Sequence, residues 1–252
     1  MPCAFSCFPK KMQRENAPEN ENIAAEDLGF SRVIYQDKRL YRFTSDSVLL
    51  SRFARAKTGD NVADFCSGCG IVAFHFYLLN EAKKPCFTLF ELQEDLMNLA
   101  RLTAKKNGFE NFSFVTGRLQ DLPKEYFGKF SLVLCNPPYE TGGFENESYE
   151  KAICRKEIEI TWEEIVKAAK RALKFGGRIV FCHKASRAAE VIGALDRNNF
   201  AVKRMQFVSG GENAEPYLVL IEAVYGGKPG AKVLPELINT AKSGAKTGAA
   251  AK

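Results

Sequence analysis

The chain has 252 residues, of which 46% are hydrophobic and 26% charged, and its formal net charge is +6. This balance is typical of a globular protein with room for one α/β domain and tails, and a modest positive charge fits an anionic partner. No apolar run reaches membrane-spanning length, and no long apolar stretch follows the basic residues near the N-terminus. The eight cysteines form no regular framework, which is typical of reduced thiols. We therefore expect a cytoplasmic protein without membrane contact.

The two ends of the chain differ in composition from the middle. Residues 1–28 are polar and rich in Asn and Glu, and we interpret them as a flexible leader. Residues 241–252 form a basic low-complexity tail of Ala, Lys and Gly. Residues 29–240 are predicted to form the domain. Strand-like runs alternate there with helical segments, as in a mainly parallel α/β sheet.

The segment Tyr41–Leu50 predicts the start of a helix. Ser45 or Asp46 could cap a helix that runs to about Lys57. One interpretation is a cap followed by a buried apolar face. The other places the helix N-terminus and Arg42 beside the carboxylate of a ligand.

A glycine-rich turn follows. The run beginning at Val62 reads as a strand that ends in Asp64, and Gly68 and Gly70 lie in the turn before an apolar helix, Ile71–Asn80. Glycines at such a turn allow a ligand to approach the backbone closely, and the helix N-terminus offers free N–H groups to an anion. The turn therefore predicts a ligand site.

Cys66 and Cys69 in this turn have the C-x-x-C spacing of a redox pair or half a zinc site. Of the other cysteines, Cys3 and Cys7 alone have nearly suitable spacing for a second pair, and the chain has two histidines, His75 and His183. We predict no metal site. The simpler interpretation makes both cysteines small residues in a tight loop.

Two acids at later strand ends extend the ligand site. The strand Cys86–Glu91 ends in Glu91, where a carboxylate can bind ribose hydroxyls. Asp121 follows the strand Phe112–Thr116 and offers an acceptor for an adenine amine. The helix between these strands is predicted from Gln93 to Asn107.

The tetrapeptide Asn136-Pro137-Pro138-Tyr139 follows the apolar strand Phe130–Cys135. Two prolines hold the backbone extended and remove two N–H donors. The side-chain oxygen of Asn136 and the carbonyl of Pro137 are then acceptors for an exocyclic amino group, and an aromatic base can stack on Tyr139. The alternative is an ordinary turn leaving a strand.

The last elements predict an antiparallel edge. Thr161 and Glu164 form a capping box at a helix start. The elements predicted after it are the strand Arg178–His183, the helix Ser186–Asn198, and the strands Ala201–Val208 and Tyr217–Tyr225. The last two strands have no helix between them, which indicates a hairpin.

The loop, the two acids and the Asn-Pro-Pro-Tyr motif together resemble those of class I methyltransferases that use S-adenosyl-L-methionine (SAM). The runs that resemble the bacterial tRNA1(Val) adenine-37 N6-methyltransferase family are Y-R-F-T-S-D-S-V-L-L, D-F-C-S-G-C-G, N-P-P-Y, I-C-R-K-E and V-L-I-E-A-V-Y-G-G-K-P-G. The resemblance covers residues 29–240. It implies a Rossmann-like, seven-stranded, mainly parallel sheet with an antiparallel edge hairpin. It also implies methylation of adenosine 37 in a tRNA anticodon stem-loop. We expect the protein to be a monomer.

The candidate residues form three groups. The catalytic group is Asn136, Pro137, Pro138 and Tyr139. The cofactor group is Arg42, Asp46, Asp64, Gly68, Gly70, Glu91, Asp121 and Asn136. The expected phosphate contacts to RNA are Lys151, Arg155 and Lys156. One departure is Cys66, where the family usually has glycine, so a side chain narrows the expected cofactor pocket.

Three alternatives share parts of this pattern. Protein-glutamine N5-methyltransferases use N-P-P-Y to hold an amide, although they normally carry a helical N-terminal substrate domain. The motif also permits guanine-N2 methylation of ribosomal RNA. A third alternative is a non-catalytic SAM-binding scaffold for RNA or a partner protein, for which two acceptors beside a stacking ring would be unnecessary.

Overall fold

The computed structural model describes residues 21–40, 42–139 and 159–240. The predicted RNA contacts Lys151, Arg155 and Lys156 lie outside the described residues, as does the tail 241–252. Within the described ranges, no helix is long and apolar enough to cross a bilayer.

The described elements alternate along most of the chain, as the sequence predicts. The strands are β1 (Ile23–Gly29), β2 (Arg32–Asp37), β3 (Asn61–Phe65), β4 (Cys86–Glu91), β5 (Phe112–Thr116), β6 (Phe130–Cys135), β7 (Leu173–Lys184), β8 (Phe200–Ser209), β9 (Leu218–Tyr225), β10 (Lys232–Val233) and β11 (Leu237–Ile238). The helices are α1 (Ser45–Phe53), α2 (Ile71–Asn80), α3 (Glu94–Asn107), α4 (Trp162–Ala172) and α5 (Ala188–Arg197).

Seven strands make the body of the main sheet, in the order β8-β9-β7-β6-β3-β4-β5. The neighbours from β7 to β5 pair in parallel, whereas β9 pairs antiparallel with both β7 and β8. The short strands β10 and β11 add to the outer edge of β8. This arrangement confirms the mainly parallel sheet with an antiparallel edge hairpin.

Both faces of the sheet are buried, because adjacent residues of each strand point to opposite sides. On one face, Val62 and Leu134 belong to a core that includes Phe74 of α2 and Met97 of α3. On the other, neighbouring strand residues pack with α4 and α5 in a second core. Since the parallel strands share one direction, their carboxyl ends meet at one edge, and Glu91 and Asn136 lie at that edge.

The predicted leader extends too far, because its boundary at residue 28 lies inside a hairpin of β1 and β2. Leu28 is buried in the core. Side chains of α3 hold the backbone of β2, since Val33 N donates to Asn107 Oδ1 (3.1 Å) and Tyr35 N donates to Thr103 Oγ1 (3.1 Å). The sequence of β1, Ile-Ala-Ala-Glu-Asp-Leu-Gly, has few β-branched residues and weak alternation, so it does not predict a strand.

Helix α1 differs from its predicted bounds. Its N-cap is Thr44, whose side chain makes no capping bond, so Ser45 and Asp46 lie inside the first turn. The helix ends at Phe53, short of Lys57, and the carbonyl of Phe53 accepts from the Arg204 guanidinium at 2.6 Å. A guanidinium distant in sequence thus provides the hydrogen bond that a carbonyl at the end of α1 lacks within the helix. The residue spacing near α1 could not predict this partner.

The later boundaries agree more closely. The capping box of Thr161 and Glu164 is present at α4, and Gly108, with a φ of 69°, caps the C-terminus of α3. Strand β7 begins at Leu173, five residues before the predicted start, because α4 leads directly into it.

Candidate active site

The predicted loop and the Asn-Pro-Pro-Tyr motif face each other across one cleft. Its volume is about 870 Å³. Cys66–Cys69 and Glu91 line one part, and Asn136–Tyr139 line another. The beginning of α1, through Asp46 and Ser47, also lines it. The cleft therefore lies at the carboxyl ends of β3, β4 and β6.

The two loop glycines have different roles. Gly68 has a φ of 56°, and a Cβ added there would meet no atom within 4 Å, so its open side can receive a ligand. Gly70 has a φ of 86°, and an added Cβ would lie 2.5 Å from the Phe74 ring. Gly70 does not line the cleft. The expectation that Gly70 contacts the ligand is therefore wrong. Instead, Gly70 allows the loop to pack against α2.

Cys66 stands at the loop position where the family that this chain resembles usually has glycine. Its φ is 54°, a left-handed conformation that glycine adopts readily and other residues rarely do. Cys66 is half-buried and lines the cleft, whereas Cys69 is buried. Both are free thiols.

Glu91 is positioned to accept hydrogen bonds within the cleft. It is 6% exposed, and burial raises the pKa of its carboxyl group. Oε2 accepts from Gly68 N at 2.8 Å and Oε1 from Gln93 N at 3.0 Å. A carboxylate has about four lone-pair sites, so it keeps further capacity to accept hydrogen bonds. Ser67 Oγ, also buried at the cleft, has no hydrogen-bond partner among the described residues. These groups fit a ligand that carries hydroxyl groups.

Asp64 does not line the cleft. It is fully buried beneath the loop, where its Oδ2 accepts from Ala73 N at 3.1 Å. Burial is the main cause that raises its pKa to about 8, and the nearby Glu91 charge adds to the increase. The expectation that Asp64 contacts the cofactor is therefore wrong. Instead, its hydrogen bond joins the end of β3 to the first turn of α2.

Asp121 is also outside the cleft. It is exposed at the end of a single 3₁₀ turn, Leu119–Asp121, and is not among the lining residues. Arg118 and Gln120 line this end of the cleft instead, and both bind Glu159. Arg118 Nη1 lies 2.7 Å from Glu159 Oε2, and Gln120 Nε2 donates to the Glu159 carbonyl at 2.9 Å. No local sequence signal identified Glu159.

Arg42 and Asp46 lie at the mouth and the wall of the cleft, respectively. Arg42 forms an ion pair with Glu26 of β1, so the hairpin missed by the sequence analysis helps to hold it. Asp46 is 2% exposed, and its Oδ2 accepts from the Tyr139 hydroxyl at 2.6 Å. Asp46 therefore supports the motif from α1.

Asn136 is bound by two side chains that the sequence analysis did not identify. Its Nδ2 donates to Ser47 Oγ at 2.9 Å. Its Oδ1, expected to be free, accepts from Cys182 Sγ at 2.9 Å. A carbonyl oxygen has two lone pairs, so one acceptor position remains. The centroid of the Tyr139 ring lies 5.7 Å from the centroid of the His183 ring, and His183 is fully buried.

Comparison with known proteins identifies the family. Residues 43–207 match the methyltransferase small domain family. The chain belongs to this family. Membership of this family, together with the class I fold, confirms the prediction that the cofactor is SAM.

Relatives of this methyltransferase small domain protein include two kinds of enzyme. A tRNA1(Val) (adenine(37)-N6)-methyltransferase from Flavobacteriaceae bacterium strain 3519-10 is 25% identical over 75% of this chain and 80% of its own length. A release factor glutamine methyltransferase from Fusobacterium nucleatum is 30% identical, over 56% of this chain and 42% of its own length.

A solved structure agrees with the fold of this methyltransferase. A predicted O-methyltransferase from Agrobacterium tumefaciens superposes with a TM-score of 0.62 at 18% identity. The match covers 77% of this chain and 86% of that protein.

Proposed function

We propose that this protein transfers a methyl group from SAM to the exocyclic N6 of adenine in tRNA, at adenosine 37 of an anticodon loop. The observation that carries the proposal is the arrangement of Asn136, Pro137 and Tyr139 across the cleft from Glu91. A relative that is matched over most of both chains has this activity in its name. An anticodon loop suits the site because its bases are unpaired and weakly stacked.

The residues of the loop fit the cofactor. SAM supplies a methyl carbon bonded to a positively charged sulfur. Glu91 would accept hydrogen bonds from the ribose hydroxyls, and the open side of Gly68 would allow close approach. Arg42 lies at the mouth of the cleft, where its charge would favour the methionine carboxylate.

The residues of the motif fit the target base. Asn136 Oδ1 and the Pro137 carbonyl would accept the two hydrogens of the amine, which localises the nitrogen lone pair and directs it at the methyl carbon. Tyr139 would stack on the flipped base and offset part of the cost of unstacking, a few kcal/mol. After transfer the nitrogen carries an extra proton, which leaves to solvent through the same acceptors.

The substrate is tested by incubating the protein with SAM and, in parallel, with unmodified tRNA, ribosomal RNA and a release factor. Nucleoside and peptide mass spectrometry then identifies the product. We expect N6-methyladenosine in tRNA. N2-methylguanosine in ribosomal RNA or N5-methylglutamine in the release factor would replace the proposal by the corresponding alternative. No incorporation with any substrate, together with retained SAM binding, would indicate a scaffold.

A further inference from the structure

Two buried side chains hold the carboxamide of Asn136 from opposite ends. Ser47 of α1 is 1% exposed and accepts from Nδ2 at 2.9 Å. Cys182 of β7 is fully buried and donates its thiol hydrogen to Oδ1 at 2.9 Å. Ser47 and Cys182 lie on different elements, Asn136 directly follows β6, and the two partners are 89 and 46 residues from Asn136 in sequence.

Ser47 and Cys182 differ in whether they can distinguish the oxygen of the Asn136 amide from its nitrogen. A serine hydroxyl both donates and accepts, so Ser47 can bind either end of a carboxamide. A thiol can donate its S–H hydrogen, and its sulfur is only a weak acceptor for an N–H group, so Cys182 favours the orientation in which it donates to the amide oxygen. Rotation of the amide by half a turn would place two N–H hydrogens against the sulfur. Cys182 therefore favours one orientation of the Asn136 amide, with the oxygen towards the thiol.

We propose that Cys182 is a positioning residue for methyl transfer, which keeps the amide oxygen of Asn136 where its second lone pair can accept from the target amine. This inference rests on the proposed function of Asn136. In this proposal Cys182 touches neither the base nor the cofactor, and its effect on methyl transfer is exerted through Asn136. Its contribution should therefore appear in turnover and not in cofactor affinity.

Three variants separate the hydrogen bond from the packing of the thiol. Cys182→Ala removes the donor and a buried atom, and Cys182→Ser restores a hydroxyl donor. Val180→Ala is the matched control, because Val180 is also fully buried, lies two residues earlier on β7 and packs in the same core. We expect kcat on tRNA to fall roughly three- to tenfold in Cys182→Ala, as for loss of one hydrogen bond. Cys182→Ser should recover most of it.

The same variants should bind SAM with unchanged affinity in calorimetry, and Val180→Ala should keep the kcat of the wild type. An unchanged kcat in Cys182→Ala, or equal losses in Cys182→Ser and Cys182→Ala, would overturn the proposal. A second readout is independent of the substrate: the side-chain NH₂ signals of Asn136 in ¹⁵N NMR, assigned by their loss in Asn136→Ala. Cys182→Ala should shift them and Val180→Ala should not.

This NMR readout distinguishes the two ways in which the account can fail. A wild-type protein that methylates none of the RNA substrates would contradict the proposed function, whereas Asn136 signals that ignore Cys182→Ala would contradict the positioning role even in an active enzyme.

Discussion

Asp64 and Glu91 are both buried acids at strand ends, yet they differ in what surrounds them. Glu91 lines the cleft and accepts from two backbone N–H groups. Asp64 is enclosed beneath the loop, and its Oδ1 has no hydrogen-bond partner among the described residues. Burial without full compensation favours the protonated form of such a group.

The stability of the protein should therefore depend on the ionisation of Asp64. In the folded state its pKa is raised to about 8, so between its ordinary pKa and pH 8 the folded state holds a proton that the unfolded state releases. The free energy of unfolding should fall as pH rises through this window. Asp64→Asn should reduce the fall between pH 5 and pH 8, measured by urea unfolding. An equal fall in both proteins would contradict the raised pKa.

Tyr139 has a supporting bond in addition to its ring. Tyr139→Phe keeps the stacking face but removes the donor to the buried Asp46, which should cost about 1–3 kcal/mol of stability. Its turnover should fall less than that of Tyr139→Ala. Thermal unfolding and single-turnover rates test both statements, with Tyr225→Phe, on β9 outside the cleft, as the control. A Tyr139→Phe variant with the stability of the wild type would show that the bond to Asp46 contributes little.

At the scale of elements, the glycine loop combines two different requirements. Gly70→Ala imposes both a left-handed residue and a Cβ within 2.5 Å of the Phe74 ring, which should cost about 2–4 kcal/mol. Gly68→Ala imposes only the backbone strain, about 1–2 kcal/mol, but places its Cβ on the open side. We expect Gly68→Ala to weaken SAM binding beyond its effect on stability. Urea unfolding and calorimetry compare the two, and equal stability losses would contradict the account.

Three parallel strands were predictable because each is a mostly apolar run between turns. Cys86–Glu91, Phe112–Thr116 and Phe130–Cys135 agree with the structure at both ends. From these ends the cleft and the facing of Glu91 and Asn136 follow, since parallel strands end at one edge.

What the sequence could not predict depends on local rotation or on distant partners. Asp121 follows its strand at the expected distance along the chain, but it is exposed at the end of a 3₁₀ turn and does not line the cleft. Ser47 and Cys182 meet Asn136 only after α1 and β7 have packed beside β6, so no pattern near the motif identifies them.

At the scale of the whole molecule, the cleft separates two tasks between two parts of the sheet edge. The ends of β3 and β4 supply Gly68 and Glu91 for the cofactor, and the end of β6 supplies Asn136 and Tyr139 for the base. Helix α1 joins the two, because its first turn lines the cleft and binds the motif. Loss of a residue on one side should therefore leave the other task intact.

The most direct test measures SAM affinity and the single-turnover rate of methyl transfer to tRNA on the same preparations of Glu91→Ala and Asn136→Ala. Glu91→Ala should lose roughly 1.5–3 kcal/mol of SAM binding, as for hydrogen bonds to a charged acceptor. Asn136→Ala should bind SAM nearly as the wild type does and lose most methyl transfer at saturating SAM. If Asn136→Ala instead abolished SAM binding, with residual transfer proportional to occupancy, Asn136 would be a support of the cofactor site, and the assignment of the motif to the base would be wrong.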